Sequence, residues 1–383
     1  MKRVYLDNAA TTQIDDRVLE AMLPWLKERY GNASSVHSFG REAKVLIEDA
    51  RDVIAEFIGA RSSEIYFTSG GTESNNFAIK GIAFNNIGKK NHIVSSKIEH
   101  SAVLDTLEYL KQRFGFDVTY INTDRCGIIN TDELKLSITD KTFLICIMHS
   151  NNELGVINDI PAIAKTAKQK NVLLHTDSVQ SIGKIPFNVK DIDCDTATLS
   201  AHKIYGPKGI GALFIKKDTP IDKYIHGGKQ ERDRRGGTEN AAAIAGFKKA
   251  VEILKAEMNS DIAHYKKLKS LLVSKLKENF NAKIVINTPE NSLDNIINIS
   301  FKNNNVIDSD TLIIKLDMFG ILVSSGSACT SGSVQPSHVL KAIGYDDNSA
   351  KSSLRISFGR FNKEDDVDYF IDGLKNSNLM RGL

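Results

Sequence analysis

Cysteine is scarce in this chain: four residues among 383, at Cys126, Cys146, Cys194 and Cys329, far apart and with no paired short spacing. That argues against a disulfide framework and against a zinc site, and it favours a reduced, cytoplasmic setting. Long apolar runs are missing too. No stretch approaches the roughly 18 apolar residues of a membrane helix, and residues 1–12 lack the apolar core of a signal peptide. Charge of one sign is also lacking. The formal net charge is +3, which gives no reason to expect a nucleic-acid partner. The basic stretch 229–235 is interrupted by Glu231 and Asp233, so it suits a phosphate-sized partner better than a polymer. No short-period repeat or low-complexity tract is present.

What is there reads as a globular chain, 41% hydrophobic and 25% charged, long enough for two domains and a large buried core. From about residue 41 to 215, helical and strand patterns alternate. Leu46, Ala50, Val53 and Phe57 follow a helical spacing, with Gly59 as the C-cap. Strands are expected at 65–67, 92–94, 118–121, 143–148, 172–174 and 212–215, and a helix at 74–83. Cys146 falls inside one of these apolar runs and reads as plain core. Such alternation implies a mainly parallel sheet with helices on both faces. Residues 241–280 turn helical, and Asn259-Ser260-Asp261 offers a break with a new N-cap. The domain boundary is placed in this region. Beyond it come a strand at 296–301, a helix capped by Asp308 and carrying Leu312, Leu316 and Phe319, and a strand at 321–323. Together these make a smaller α+β unit.

Four segments carry chemistry. Ser324-Ser325-Gly326-Ser327-Ala328-Cys329-Thr330-Ser331-Gly332-Ser333 contains no large apolar side chain. A structural cysteine is usually buried as a small hydrophobe, so Cys329 reads either as an accessible reactive thiol or as an incidental residue of a surface loop. Ser69-Gly70-Gly71-Thr72-Glu73-Ser74 lies between a strand and a helix. It is either a single-phosphate cradle at a helix N-terminus or an ordinary glycine turn with a threonine cap. An apolar strand running into Asp177 puts a carboxylate at a strand end, where open α/β sheets bind ligands. Lys203, in Ser200-Ala201-His202-Lys203-Ile204-Tyr205-Gly206-Pro207, follows a strand-like run. Partial burial there would free its amine as a nucleophile; the alternative is a solvated surface lysine.

Taken together, these segments resemble the cysteine desulfurases, pyridoxal-phosphate enzymes of the class V aminotransferase superfamily. The likeness runs from Tyr5-Leu6-Asp7-Asn8-Ala9-Ala10-Thr11-Thr12 to Leu354-Arg355-Ile356-Ser357-Phe358-Gly359-Arg360. The Ser-Ser-Gly-Ser-Ala-Cys form around Cys329 is similar to the group that supplies iron–sulfur cluster assembly, and the Arg-x-Gly-x-His-Cys form of the other large group is absent. The resemblance implies the α/β architecture known as pyridoxal-phosphate fold type I. A large domain (15–255) would hold a mainly parallel sheet flanked by helices, and a small α+β domain (1–14 with 256–383) would carry the cysteine. It implies a homodimer.

By the same resemblance, Lys203 would hold pyridoxal 5'-phosphate as a Schiff base and Asp177 would pair with the ring nitrogen. His100 would stack on the ring, although His100 also reads as a helix cap. Gln180 would bond the ring's phenolic oxygen, and Asn152 would lie near ring and substrate. Gly71, Thr72, Ser200 and His202 would hold the phosphate, joined by Thr238 from the neighbouring subunit. Arg355 would clamp the substrate carboxylate, with Asn32 in a further family segment near the site. Lys203 would act as base, and the Cys329 thiolate, assisted by His100 or the cofactor, would take the sulfur of L-cysteine. Alanine and a persulfide would result, the latter for an acceptor protein in iron–sulfur cluster assembly or transfer-RNA thiolation. No metal site is implied beyond Cys329 as a transient cluster ligand. The alternative activity is that of a selenocysteine lyase or another class V pyridoxal-phosphate enzyme. The chain departs from the family at Ala33, where proline is common, and at Asp233 and Gly236, where glycine and serine are frequent; the extra carboxylate of Asp233 could weaken cofactor retention.

Overall fold

A computed structural model describes residues 2–302, 309–325 and 336–377. In chain order its strands are β1 (Val4–Tyr5), β2 (Ile65–Thr68), β3 (His92–Ser96), β4 (Asp117–Ile121), β5 (Thr142–Cys146), β6 (Leu173–Asp177), β7 (Thr196–Ser200), β8 (Gly211–Ile215), β9 (Ile284–Ile286), β10 (Ile296–Phe301), β11 (Ile321–Leu322) and β12 (Ser353–Ser357). Seven of them form one sheet in the order β2-β8-β7-β6-β5-β3-β4. The run from β4 to β7 is parallel, and β8 lies antiparallel between β7 and β2. The central strands β3, β5 and β7 are buried along their whole length, as a sheet covered on both faces requires.

The expected helix around Leu46 spans Ser38–Ile58 and ends at Gly59, whose φ of 74° is the left-handed cap that glycine adopts without strain. The helix after β2 starts at Gly71, three residues before the expected Ser74. β6 runs past Leu174 as far as Asp177, so that carboxylate belongs to the strand itself.

A second group of strands is antiparallel, in the order β12-β10-β9, and β1 pairs in parallel with β11. The chain's beginning is therefore built into its end. Val4 and Leu6 share an apolar cluster with Tyr265, Leu272, Leu316, Ile356 and Phe370, apart from the cluster under the large sheet. One helix, Ala241–Phe280, enters both: Ala243 to Leu254 pack under the large sheet and Tyr265 to Phe280 in the second cluster.

That helix corrects the sequence reading, because it does not break at Asn259-Ser260-Asp261. The Ser260 hydroxyl donates back to the Glu257 carbonyl at 2.7 Å. The Asp261 carboxylate, which a cap would have used, instead accepts from Arg360 Nη2 at 2.6 Å. The Asp308 cap lies outside the described residues; its helix is seen from Ser309 to Met318.

Arg360 locks the two clusters together. Its guanidinium reaches Asp261 on one side and Asp15 (2.9 Å) on the other, over the face of Tyr205 at 4.3 Å. Removing one member of such a buried set strands the remaining charges. Arg360→Met should cost about 3–5 kcal/mol of stability, read as an earlier thermal unfolding transition. Lys341→Met, which breaks the exposed pair with Asp347, should cost less than about 1 kcal/mol.

Candidate active site

Four elements of the large sheet end around one cavity of about 360 Å³. Asp177 closes β6, Ser200 closes β7 and leads into the short 3-10 turn Ala201–Lys203, Gly71 opens the helix after β2, and His100 caps the helix after β3. The cavity is lined by Gly71, Thr72, His100, Asn152, Asp177, Gln180, Ser200, His202, Lys203 and Arg355, all expected from sequence. Cys329 lies outside the described residues. Asn32 and Thr238 are exposed and do not reach the cavity within one chain; the Asn32 Oδ1 accepts from the N–H of Ser34 at 2.9 Å.

Lys203 Nζ donates to the carbonyls of Ala9 and Ala10, each at 2.6 Å. Burial, followed by the nearby charge of Arg355, pushes its pKa down to about 7. An amine so placed is substantially neutral, and nucleophilic, near physiological pH. Gln180 donates to the same Ala9 carbonyl at 2.9 Å. The turn under Lys203 is held by Thr12, whose N–H and hydroxyl both donate to the His202 carbonyl, at 3.0 and 2.9 Å.

Asp177 is fixed by a residue that sequence reading missed. Its Oδ2 accepts from Asn75 Nδ2 at 2.7 Å, and its Oδ1 accepts from the Val179 N–H at 3.0 Å. With its amide nitrogen committed to a carboxylate, Asn75 must accept through Oδ1, and it does so from the Thr198 hydroxyl (2.7 Å) and His175 Nε2 (3.0 Å). His175 therefore carries a proton on Nε2, and burial, which pushes its pKa to about 4, keeps the ring neutral. The available signal was an asparagine three, four and seven residues before Ala78, Ile79 and Ile82, on the helix face those apolar side chains mark.

His100 does cap its helix: Nδ1 accepts from the Ala102 N–H at 3.1 Å. This is also what makes it useful in the cavity. An accepting Nδ1 at a helix N-terminus cannot be protonated, so the proton sits on Nε2. Desolvation by the protein around the ring lowers its pKa in the same direction. Arg355 donates from Nη2 to Asp7 at 2.7 Å and from Nη1 to the Asn152 carbonyl at 3.0 Å. Its Nε is buried with no partner among the described residues.

The end of the cavity at Gly71 and Ser200 is suited to an anion. The Ser200 hydroxyl is buried without a partner among the described residues, and a side chain at Gly71 would come within 3.0 Å of Val179, so glycine keeps the first turn of the helix open. Glu73 steadies this loop by accepting from the Ser69 N–H (2.8 Å) and from Arg235 Nε (2.8 Å). Asp233, the extra carboxylate near this loop, is exposed and pairs with Lys223 at 2.6 Å. Its φ of 65° explains why glycine is frequent there.

Residues 4–370 match the aminotransferase class-V family. The chain is 46% identical over 377 residues to the cysteine desulfurase IscS of Dictyoglomus turgidum, covering 98% of this chain and 94% of that one. Among solved structures it is similar to a NifS-like protein, with a TM-score of 0.92 and 42% identity over 100% of both chains. It is also similar to SspA in complex with cysteine, with a TM-score of 0.81, 37% identity and coverage of 94% of this chain and 99% of that one.

A lysine lowered to about 7 is protonated below that pH and cannot attack a carbonyl; above it the amine is free. Capture of an aldehyde cofactor by the cofactor-free chain should therefore speed up as pH rises through about 7 and level off above. Stopped-flow absorbance from roughly pH 5.5 to about 11 checks this; an inflection near the ordinary lysine value of about 10.4 would contradict it.

Proposed function

The chain belongs to the aminotransferase class-V family and, within it, to the cysteine desulfurases, and on that premise we propose how its residues take sulfur from L-cysteine. It is a pyridoxal-phosphate-dependent enzyme that yields L-alanine. The observation that carries the reading is the convergence of a lowered lysine, a buried carboxylate, an open helix N-terminus and a guanidinium on one cavity.

The residues present fit the cofactor. Ser200 offers a partnerless hydroxyl and Gly71 an open turn for the phosphate, with Thr72 and His202 beside them. Asp177, locked by Asn75, suits a protonated ring nitrogen. His100 and Gln180 would flank the ring, and Lys203 would bind it covalently. When bound, the cofactor supplies an electron sink conjugated to the substrate's amino group.

The protein's own groups do the rest. Arg355 holds the substrate carboxylate, with Asn152 beside it and Asp7 keeping the guanidinium in place. Lys203, near its midpoint at neutral pH, takes the α-proton and returns it. The Cys329 thiolate attacks the substrate sulfur. A sulfur–sulfur bond forms as the carbon–sulfur bond breaks, its electron pair stays with carbon, and a proton completes alanine. No external oxidant is needed, because the two-electron oxidation of sulfur in forming the persulfide is matched by the two-electron reduction of the substrate's β-carbon as alanine forms. With Nδ1 accepting from the Ala102 N–H, His100 has no nitrogen free for the thiol proton, which passes to solvent, and it can instead offer its Nε2–H to the reacting sulfur.

The finer parts of the reading have separate support. A homodimer is supported by exposed Leu19, Leu23, Leu26, Tyr30, Val36 and Phe39, an apolar surface around Asn32 that a second copy would cover. That copy's Thr238 would complete the phosphate site. The division into 15–255 and 1–14 with 256–383 is supported by the two apolar clusters. A cytoplasmic setting is supported by the thinly spread cysteines. The persulfide's receiver is proposed to be an iron–sulfur scaffold or another sulfur acceptor.

Incubation with L-cysteine and a thiol reductant should release alanine and sulfide in equal amounts. Cys329→Ala should lower both by roughly 10²-fold or more while leaving the cofactor bound. Activity that survives the substitution would assign sulfur loss without a persulfide, the selenocysteine-lyase type of chemistry. Sedimentation of the natural protein should report twice the chain mass.

A further inference from the structure

Beneath Lys203 a second lysine is buried that the reaction does not use. Lys184 is 5% exposed, yet its Nζ donates to the backbone carbonyl of Lys203 at 2.9 Å. A buried ammonium is costly unless a carboxylate pairs with it, and among the described residues Lys184 forms no ion pair. The other carbonyls of the turn are held by neutral donors. His202 is held by Thr12, and Ala201 receives the N–H groups of Ile204 and Gly206, each at 3.0 Å. Only the carbonyl of Lys203 itself is held by a charge.

We propose that Lys184 is a positioning residue for Lys203: its ammonium pins the peptide that carries the reactive lysine and sets a positive charge behind the amine. The inference rests on the reading of Lys203 as the cofactor lysine. Lys203 faces Arg355, Asp7, Asp177 and Lys184, with His100 and His202 nearby, both lowered by burial. Lys184 faces Asp261 from the long helix and Arg360 from the segment after β12. Burial dominates at Lys203, and the charges of Arg355 and Lys184 act in the same direction, against Asp7 and Asp177. Burial brings Lys184 itself to about 8, so it keeps its proton at neutral pH. Two functions are thereby combined in one side chain. An uncharged amine would still donate to the carbonyl; only the ammonium disfavours a second charge on Lys203.

The two functions separate by substitution. Lys184→Gln keeps an N–H donor and drops the charge, and Lys184→Arg keeps both. The readout is the pH dependence of Lys203 methylation by formaldehyde and a borohydride reductant in the cofactor-free, full-length chain, followed by mass spectrometry of the Lys203 peptide. The natural protein should show a midpoint near 7. Lys184→Gln should move it upward by roughly 0.5–1 pH unit, and Lys184→Arg should restore it. An unmoved midpoint in Lys184→Gln would reduce Lys184 to a structural prop and overturn the proposal. Should that variant not fold, side-chain nitrogen NMR of the natural protein decides instead: an ammonium at Lys184 at pH 7 supports the inference, and a neutral amine there defeats it. Borohydride trapping of pyridoxal phosphate on a lysine other than Lys203 would overturn the functional reading itself, and it is scored separately from the midpoint shift.

Discussion

The site depends on keeping a neutral amine and a positive guanidinium in one small cavity. Lys203 comes from the end of β7 and Arg355 from β12, strands of different sheets. If both side chains shared one carboxylate, Lys203 would be drawn into an ion pair and lose its nucleophilicity. The chain separates them through its own beginning. Asp7 takes Arg355, while Lys203 is met two and three residues later by the neutral carbonyls of Ala9 and Ala10. The same short segment carries Thr12, which holds the turn under Lys203. β1 anchors it by pairing with β11, and a bridge from Asp7 to Ser357 places it along β12. An N-terminal strand of two residues thus decides the charge pattern of the cavity.

The fold-level frame was legible because it rests on local rules. Strand–helix alternation, the glycine cap at Gly59, the acid at the end of β6 and the lysine after β7 all follow from neighbours in sequence. The residues that tune those groups were not legible, because their partners are remote. Asn75 and Asp177 are 102 positions apart, and Ala9 and Lys203 are 194 apart. No spacing rule connects such pairs, and each partner alone has a bland local reading. His100 shows the opposite case. Helix cap and cavity residue were alternatives in sequence, yet the cap is what fixes the proton on the nitrogen that the site can use.

The misread helix break has the same origin. Asn259-Ser260-Asp261 is a good cap signal by composition, but a cap needs a free side-chain oxygen. Here Ser260 turns back on its own helix, and Arg360, 99 positions away from Asp261, claims the carboxylate. Tertiary demand for Asp261 outweighed a local preference worth about 1 kcal/mol. The result is one helix serving two cores, with its middle tied to Arg360, five residues beyond Arg355 on the same segment. The tie between the two sheets is therefore supplied by one charge cluster, on the same segment that carries Arg355.

A similar exchange of local cost for placement occurs beside the Gly71 loop. Glu231, Arg232 and Asp233 have φ values of 46°, 54° and 65° in succession, a left-handed turn that costs L-residues roughly 1–2 kcal/mol each. Such a turn persists only where the surroundings over-determine it. They do so here through Glu231, whose buried carboxylate binds Arg51 through two bonds, of 2.7 and 3.0 Å, and accepts the Phe67 N–H of edge strand β2 at 2.8 Å. That anchor caps the open edge of the large sheet, where an unpaired N–H would otherwise invite another strand. It also fixes where the chain leaves the turn, with Arg235 against Glu73 beside the Gly71 loop and Thr238 exposed. The strain is thus held by a buried ion pair on one side and meets the Gly71 loop, through Arg235 and Glu73, on the other. For that reason Asp233 can replace glycine here: its backbone conformation is imposed from Glu231, and its carboxylate is carried away from the cavity to Lys223.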